Sequence, residues 1–142
     1  MTRYFDSSAL LKRYFEEPGS ASVRRWFSPG GSATARYSFL EVASGLARRG
    51  RAGELSSGEV RRALDRLGED ATRIQVVELS EAVDARARDL LRRHPLRAGD
   101  ALQLGSALLL RDRSSETVEF VCYDLPLSAA ARAEGLRVRG AK

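Results

Sequence analysis

Asp6, Glu41, Asp100 and Asp124 each stand where a predicted element of this 142-residue chain begins or ends. Three of them interrupt apolar stretches: Tyr4-Phe5-Asp6, Ser38-Phe39-Leu40-Glu41-Val42-Ala43 and Val121-Cys122-Tyr123-Asp124. An unpaired carboxylate at the edge of a core is costly. The ordinary acids of the chain, such as Glu54, Glu59, Asp65 and Glu69, have mostly polar or basic neighbours instead. If the four converge in space, their repulsion demands a compensating cation. Hard oxygen donors with no supporting Cys or His suit Mg²⁺ or Mn²⁺.

The elements that must position these acids alternate between strand and helix. Short strands are expected at Arg3-Tyr4-Phe5, Ser32 to Arg36, Ile74 to Leu79, Val118 to Tyr123 and Arg137-Val138. Helices are expected over Ala9 to Phe15, capped by Ser7 or Ser8, and over Ser22 to Phe27. From Tyr37 to Arg49 the residues Phe39, Val42, Ala43 and Leu46 share one helical face. Ser56-Ser57-Gly58-Glu59 matches a capping box, opening a helix with Val60, Leu64 and Leu67 on one side. Ser80 caps a helix with Val83, Ala87, Leu90 and Leu91 inward, which ends at His94-Pro95. Further helices run from Asp100 to about Arg111 and from Leu127 to Ala133. Strands separated by helices imply a mainly parallel sheet covered on both faces.

Composition narrows the class. One domain spanning residues 1–142 is expected, large enough to fold without disulfides. No apolar run approaches the ~20 residues that cross a bilayer, and no signal-peptide layout is present. Cys122, the single cysteine, reads as a small core residue, which fits a reducing, cytoplasmic setting. The net charge is +5, and 22 of the 24 basic residues are arginine. Arginine forks suit phosphates, so an acidic polymer such as RNA is a fair partner, although most of these side chains simply solvate the surface.

In an open parallel sheet, ligands bind beyond the carboxyl ends of the strands. Asp6 and Asp124 directly follow two expected strands, Asp100 opens a helix, and Glu41 lies one turn into another. Each also has a plainer reading. Asp6 could cap the next helix, Glu41 could close a capping box with Ser38, Asp100 could cap its own helix, and Asp124 could be a turn acid ahead of Pro126. Their joint placement is the stronger signal.

The strings carrying these acids resemble the PIN-domain ribonucleases, especially the VapC-like toxins of toxin–antitoxin pairs. Tyr4 to Tyr14 with Glu16-Glu17-Pro18-Gly19, Phe39-Leu40-Glu41-Val42-Ala43, Leu96 to Leu104 around Asp100, and Phe120 to Asp124 match in order along essentially the whole chain. Gln103 stands where many relatives have His, and Cys122-Tyr123 replaces the small hydroxyl residue often found before the last acid. The resemblance implies a PIN-like three-layer α/β/α fold around a mainly parallel sheet of about five strands. It also implies metal-dependent RNA hydrolysis, a cognate antitoxin and a homodimer, while the lack of a long apolar run leads to the expectation of no membrane association.

On this reading Asp6, Asp100 and Asp124 hold Mg²⁺ or Mn²⁺, one ion or two, and Glu41 binds metal or positions the attacking water. Ser7 and Ser8 support the site. Lys12, Arg13, Arg48, Arg49, Arg51 and Arg97 are candidates to flank the RNA path. His94 reads as a solvated helix terminus, and Tyr14, Phe15, Trp26 and Phe27 as core or as a partner's groove. Two alternatives stay open: a phosphoryl-transfer domain built on Asp6, and a catalytically silent module that binds RNA or a protein partner.

Overall fold

Tyr4 and Phe5 are adjacent, both fully buried, and they belong to two different cores. Strand geometry requires this, because successive side chains leave opposite faces. The computed structural model describes residues 1–141. In chain order its elements are β1 (Thr2–Phe5), α1 (Ser7–Leu11), α2 (Ser20–Trp26), β2 (Ser32–Ala35), α3 (Arg36–Arg51), α4 (Ser57–Ala71), β3 (Gln75–Val77), α5 (Glu81–Arg93), α6 (Ala98–Arg113), β4 (Val118–Cys122), α7 (Leu125–Ala133) and β5 (Arg137–Gly140). The strands form one sheet in the order β3-β2-β1-β4-β5, and every pairing is parallel. Tyr4, Ala33 and Phe120 face α5, α6 and α7. Phe5 and Val121 face α1, α2, α3 and α4. The result is the expected three-layer α/β/α arrangement.

The strand order creates the place for a site. From β1 the chain passes to β2 on one side, whereas β4 lies against the other side of β1 and leads outward to β5. Phe5 pairs with Val121 at the ends of β1 and β4, so the next residues of both strands emerge together where the connections diverge. Ligands collect at such a point.

Helix α6 is the main brace of one face. Ala101, Gln103, Leu104, Ala107, Leu108 and Leu110 are all buried along it. Gly105 lets it press on α5: a Cβ there would meet the Ala87 backbone nitrogen at 3.4 Å. The opposite face is tied by a polar contact. Buried Asp70, near the end of α4, accepts from Arg13 Nε and from Tyr14 Oη, both at 2.7 Å. Together these partners hold the Asp70 carboxyl below its ordinary value against the cost of burial.

Several expectations need correction. The helix expected over Ala9 to Phe15 is Ser7–Leu11, capped by Asp6 and not by either serine. The chain then tightens, with the amides of Lys12, Arg13 and Tyr14 reaching back three residues to Ala9, Leu10 and Leu11. The next helix starts earlier, at Ser20 after Gly19, whose φ of 95° is left-handed. Leu64 and Leu91, assigned to inner faces, are exposed, since α4 and α5 rest on their neighbours through narrower stripes, Leu67 and Asp70 in one, Val83, Ala87 and Leu90 in the other. Ile74 and Leu79 flank a three-residue β3 and lie outside it. His94 caps α5 but is tucked in, with Nε2 shielded from solvent 3.8 Å from Glu134 Oε1. Cys122 is buried as expected, and burial pushes its thiol well up.

Candidate active site

Asp6 leaves β1 at its carboxyl end and caps α1, with Oδ1 accepting from the Ala9 amide at 2.8 Å. The Ser8 hydroxyl adds a contact to the same carboxylate, 3.0 Å from Oδ2. Asp124 does the equivalent after β4: it caps α7, and Oδ1 accepts from the Leu127 amide at 2.8 Å. The capping reading of Asp6 is correct and incomplete, and Asp124, read as a turn acid ahead of Pro126, is a cap as well. The amide of the capped helix engages one oxygen of each carboxylate, and both groups also line the cleft.

Glu41 and Asp100 approach from opposite helical layers. Asp100 sits in the first turn of α6, where free amides favour negative charge. Glu41 lies in the second turn of α3, and Ala35, not Ser38, is the N-cap. The capping-box reading of Ser38 and Glu41 therefore fails. Gln103 positions Glu41 instead: its Nε2 donates to Glu41 Oε1 at 2.9 Å and to Ser38 Oγ at 3.0 Å. The Gln103 carbonyl accepts from Tyr4 Oη at 2.8 Å. Ser38 in turn lies 2.7 Å from Thr34 Oγ1 on β2. A buried polar chain thus runs from the strands to Glu41.

All four carboxylates line one cleft of about 520 Å³, together with Ser7, Ser8, Lys12, Glu17, Arg48, Arg49, Gln103 and Tyr123. Burial, with a smaller push from the charge of Asp100, raises Asp6 to about 6. Burial, then the charges of Asp124 and Glu41, raises Asp100 above its ordinary value. Asp100 thus faces the other three carboxylates across the cleft. Among the described residues no three His, Cys, Asp or Glu side chains stand together closely enough to hold an ion as placed. The donor set is all carboxylate oxygen, which fits a hard cation.

The flanking cations divide. Lys12, Arg48 and Arg49 line the cleft. Arg13 does not; it is engaged by Asp70 and lies over the Phe27 ring. Arg51 and Arg97 are exposed and outside the lining, although the Arg97 backbone and, to a smaller extent, its charge oppose the rise of the Asp100 carboxyl. Phe27 is buried, and Tyr14, Phe15 and Trp26 pack against the same core, so these aromatics read as core. Among the polar residues of the cleft, three are not among the candidates expected from sequence: Glu17, Gln103 and Tyr123. Gln103 had a usable signal, since it lies three residues after Asp100 on one helix and so shares its side. Glu17 had none, being one of two adjacent acids in a helix-stopping turn.

Replacing Gln103 tests the buried chain. Gln103→Leu leaves the Tyr4 hydroxyl without its acceptor and is expected to cost about 2 kcal/mol, read by thermal melting. Tyr4→Phe added to it should recover part of that loss. Glu41 remains unheld in both proteins, so any activity that depends on it should stay about 10- to 100-fold down.

Comparison with known proteins gives the family and the fold. A model of the PIN domain family matches residues 3–114. Ribonuclease VapC45 of Mycobacterium tuberculosis is 35% identical over 143 residues, covering 98% of this chain and 95% of that protein. Among solved structures, the fold resembles M. tuberculosis VapC20, a sarcin–ricin loop cleaving toxin, with a TM-score of 0.65 at 18% identity over 91% of this chain and 95% of the other. It also resembles a toxin–antitoxin complex from Klebsiella pneumoniae, with a TM-score of 0.64 at 16% identity over 87% of each chain.

Proposed function

The chain belongs to the PIN domain family, and from that premise we infer that it is a divalent-metal-dependent endoribonuclease and the toxin of a toxin–antitoxin pair. The observation that carries this reading is the convergence of four carboxylates from four separate elements on one cleft beside the β1–β4 junction. A cleft that only bound RNA would gain nothing from so much negative charge. The charge has a use where a cation must sit beside a phosphate.

In this proposal Asp6, Asp100 and Asp124 hold Mg²⁺ or Mn²⁺, and Glu41 either joins them or orients the attacking water. A divalent ion bound there supplies charge stabilisation at the phosphate and a lowered water pKa. The residues of the chain supply position. Asp6 and Asp124 are steadied by the helix amides they cap. Glu41 is steadied by Gln103, with its Oε2 beside Gly99 at the start of α6. Lys12, Arg48 and Arg49 give the RNA backbone a path to an otherwise repulsive cleft.

An antitoxin partner and a homodimer belong to the same proposal, as does a cytoplasmic location, where RNA is available. No helix among the described residues is long and apolar enough to cross a membrane.

The test is cleavage of a structured RNA pool by the purified protein with Mg²⁺, with Mn²⁺ and with EDTA. Cleavage is expected with either metal and none in EDTA. Metal-independent cleavage would refute the mechanism. RNA binding with no cleavage under any metal condition would favour the silent module.

A further inference from the structure

The acidic cleft has a basic end, and that end already holds an anion. Glu17, in the turn between α1 and α2, reaches two cations from separate elements. Lys12 Nζ is 3.2 Å from Glu17 Oε1, and Arg49 Nη2 of α3 is 3.4 Å from Oε2. Each carboxylate oxygen therefore has its own cation. All three side chains are mostly shielded and line the same cleft as the four acids.

The two cations do not depend on Glu17 for their positions. Lys12 Nζ also donates to the Pro18 carbonyl at 2.8 Å and lies 4.7 Å from the centre of the Tyr123 ring. Arg49 donates to the Gly45 carbonyl at 3.1 Å and stacks over Phe15 at 4.4 Å. Remove the carboxylate and two fixed positive charges remain, spaced to take two oxygens of one anion. A phosphodiester offers two such non-bridging oxygens. Both contacts, at 3.2 and 3.4 Å, are longer than the roughly 2.7–2.9 Å of a tight charged hydrogen bond, so an incoming phosphate displaces Glu17 at little cost.

We propose that Lys12 and Arg49 form a subsite for a backbone phosphate of RNA next to the scissile one, and that Glu17 occupies it until RNA displaces it. The proposal rests on the ribonuclease reading and adds to it an internal competitor that holds down affinity for RNA. Glu17 would then act as a selectivity filter, because short or poorly fitting RNA gains too little elsewhere to dislodge it.

The experiment is binding of a fluorescein-labelled single-stranded RNA oligonucleotide of mixed sequence, by anisotropy in EDTA, across a KCl series. Glu17→Gln is expected to bind about fivefold tighter than wild type. Glu16→Gln serves as the control of equal charge change: Glu16 is exposed, pairs with Arg24 and lies outside the cleft. It should bind as wild type does. Lys12→Gln and Arg49→Gln should each weaken binding and flatten the log–log salt slope by about 0.7. Lys12→Arg and Arg49→Lys should keep the slope, which separates lost charge from lost folding. If wild type binds RNA but Glu17→Gln is no tighter than Glu16→Gln, or the slope is unchanged in both glutamine variants, the subsite is refuted and the ribonuclease reading stands. If wild type binds no RNA in EDTA at any salt concentration, the subsite is refuted; the ribonuclease reading falls with it only if RNA cleavage with Mg²⁺ or Mn²⁺ is absent as well.

Discussion

Asp6→Asn and Asp100→Asn are each expected to lower metal-dependent RNA cleavage by about three orders of magnitude while leaving the fold intact. The two substitutions change charge with almost no change in shape. Asparagine is as good an N-cap as aspartate, so the Ala9 amide that bonds to Asp6 Oδ1 keeps an acceptor. At position 100 the first turn of α6 loses a favourable charge, an effect worth a fraction of a kcal/mol. What each variant loses is a negative oxygen facing the cleft, and a hard cation is attracted by that charge. Cleavage assays with matched circular-dichroism melts check the prediction. Activity surviving in both folded variants would place the chemistry elsewhere.

Asp6→Asn should also make the protein more stable when no metal is present. Burial raises the Asp6 carboxyl from 3.8 in an ordinary setting to about 6 in the fold. The sign follows from where protons bind. Between those two values the folded state holds a proton that the unfolded chain has released, so stability falls as pH rises through this range. Above about 6 the folded protein carries the full cost of an ionised, buried Asp6, on the order of 3 kcal/mol. The neutral variant carries none of it. In EDTA at neutral pH its melting point should exceed that of wild type by about 10 °C, and the gap should close as pH drops below 4. Added Mn²⁺ should raise the wild-type melting point by mass action and leave the variant nearly unchanged. A variant that melts lower than wild type in EDTA at neutral pH would mean that Asp6 is a structural acid, stabilised by its partners. The two predictions together have opposite signs, activity down and stability up, which is the mark of a charge kept for function.

Much of the fold was readable in sequence because its determinants are local. The buried-strand run Val118 to Cys122, the capping box at Ser56 to Glu59, Ser80 before α5 and Gly135 after α7 each act over a few residues. The ends of elements were less readable. Ser7–Leu11 is shorter than its apolar pattern suggests, because the amides of the following turn reach back three residues, not four, to its carbonyls. Leu64 and Leu91 repeat at helical spacing yet face solvent, since spacing alone does not say how wide a stripe the neighbouring layer will cover.

The four acids themselves were legible for the same local reason. A carboxylate directly after a strand, or in the first turns of a helix, stands out against apolar neighbours, and parallel topology sends strand ends to one rim. The sequence by itself therefore determined the alternating architecture and the identity of the acids. The tertiary structure alone decided what holds and opposes them: Gln103 reaching Glu41 across 62 positions, Arg49 reaching Glu17 across 32, and Arg13 drawn away to Asp70 across 57. Hydrogen bonds and ion pairs depend on distances of a few tenths of an ångström. Those distances are set by how α3, α4 and α6 settle on the sheet, and no spacing within a single element encodes them.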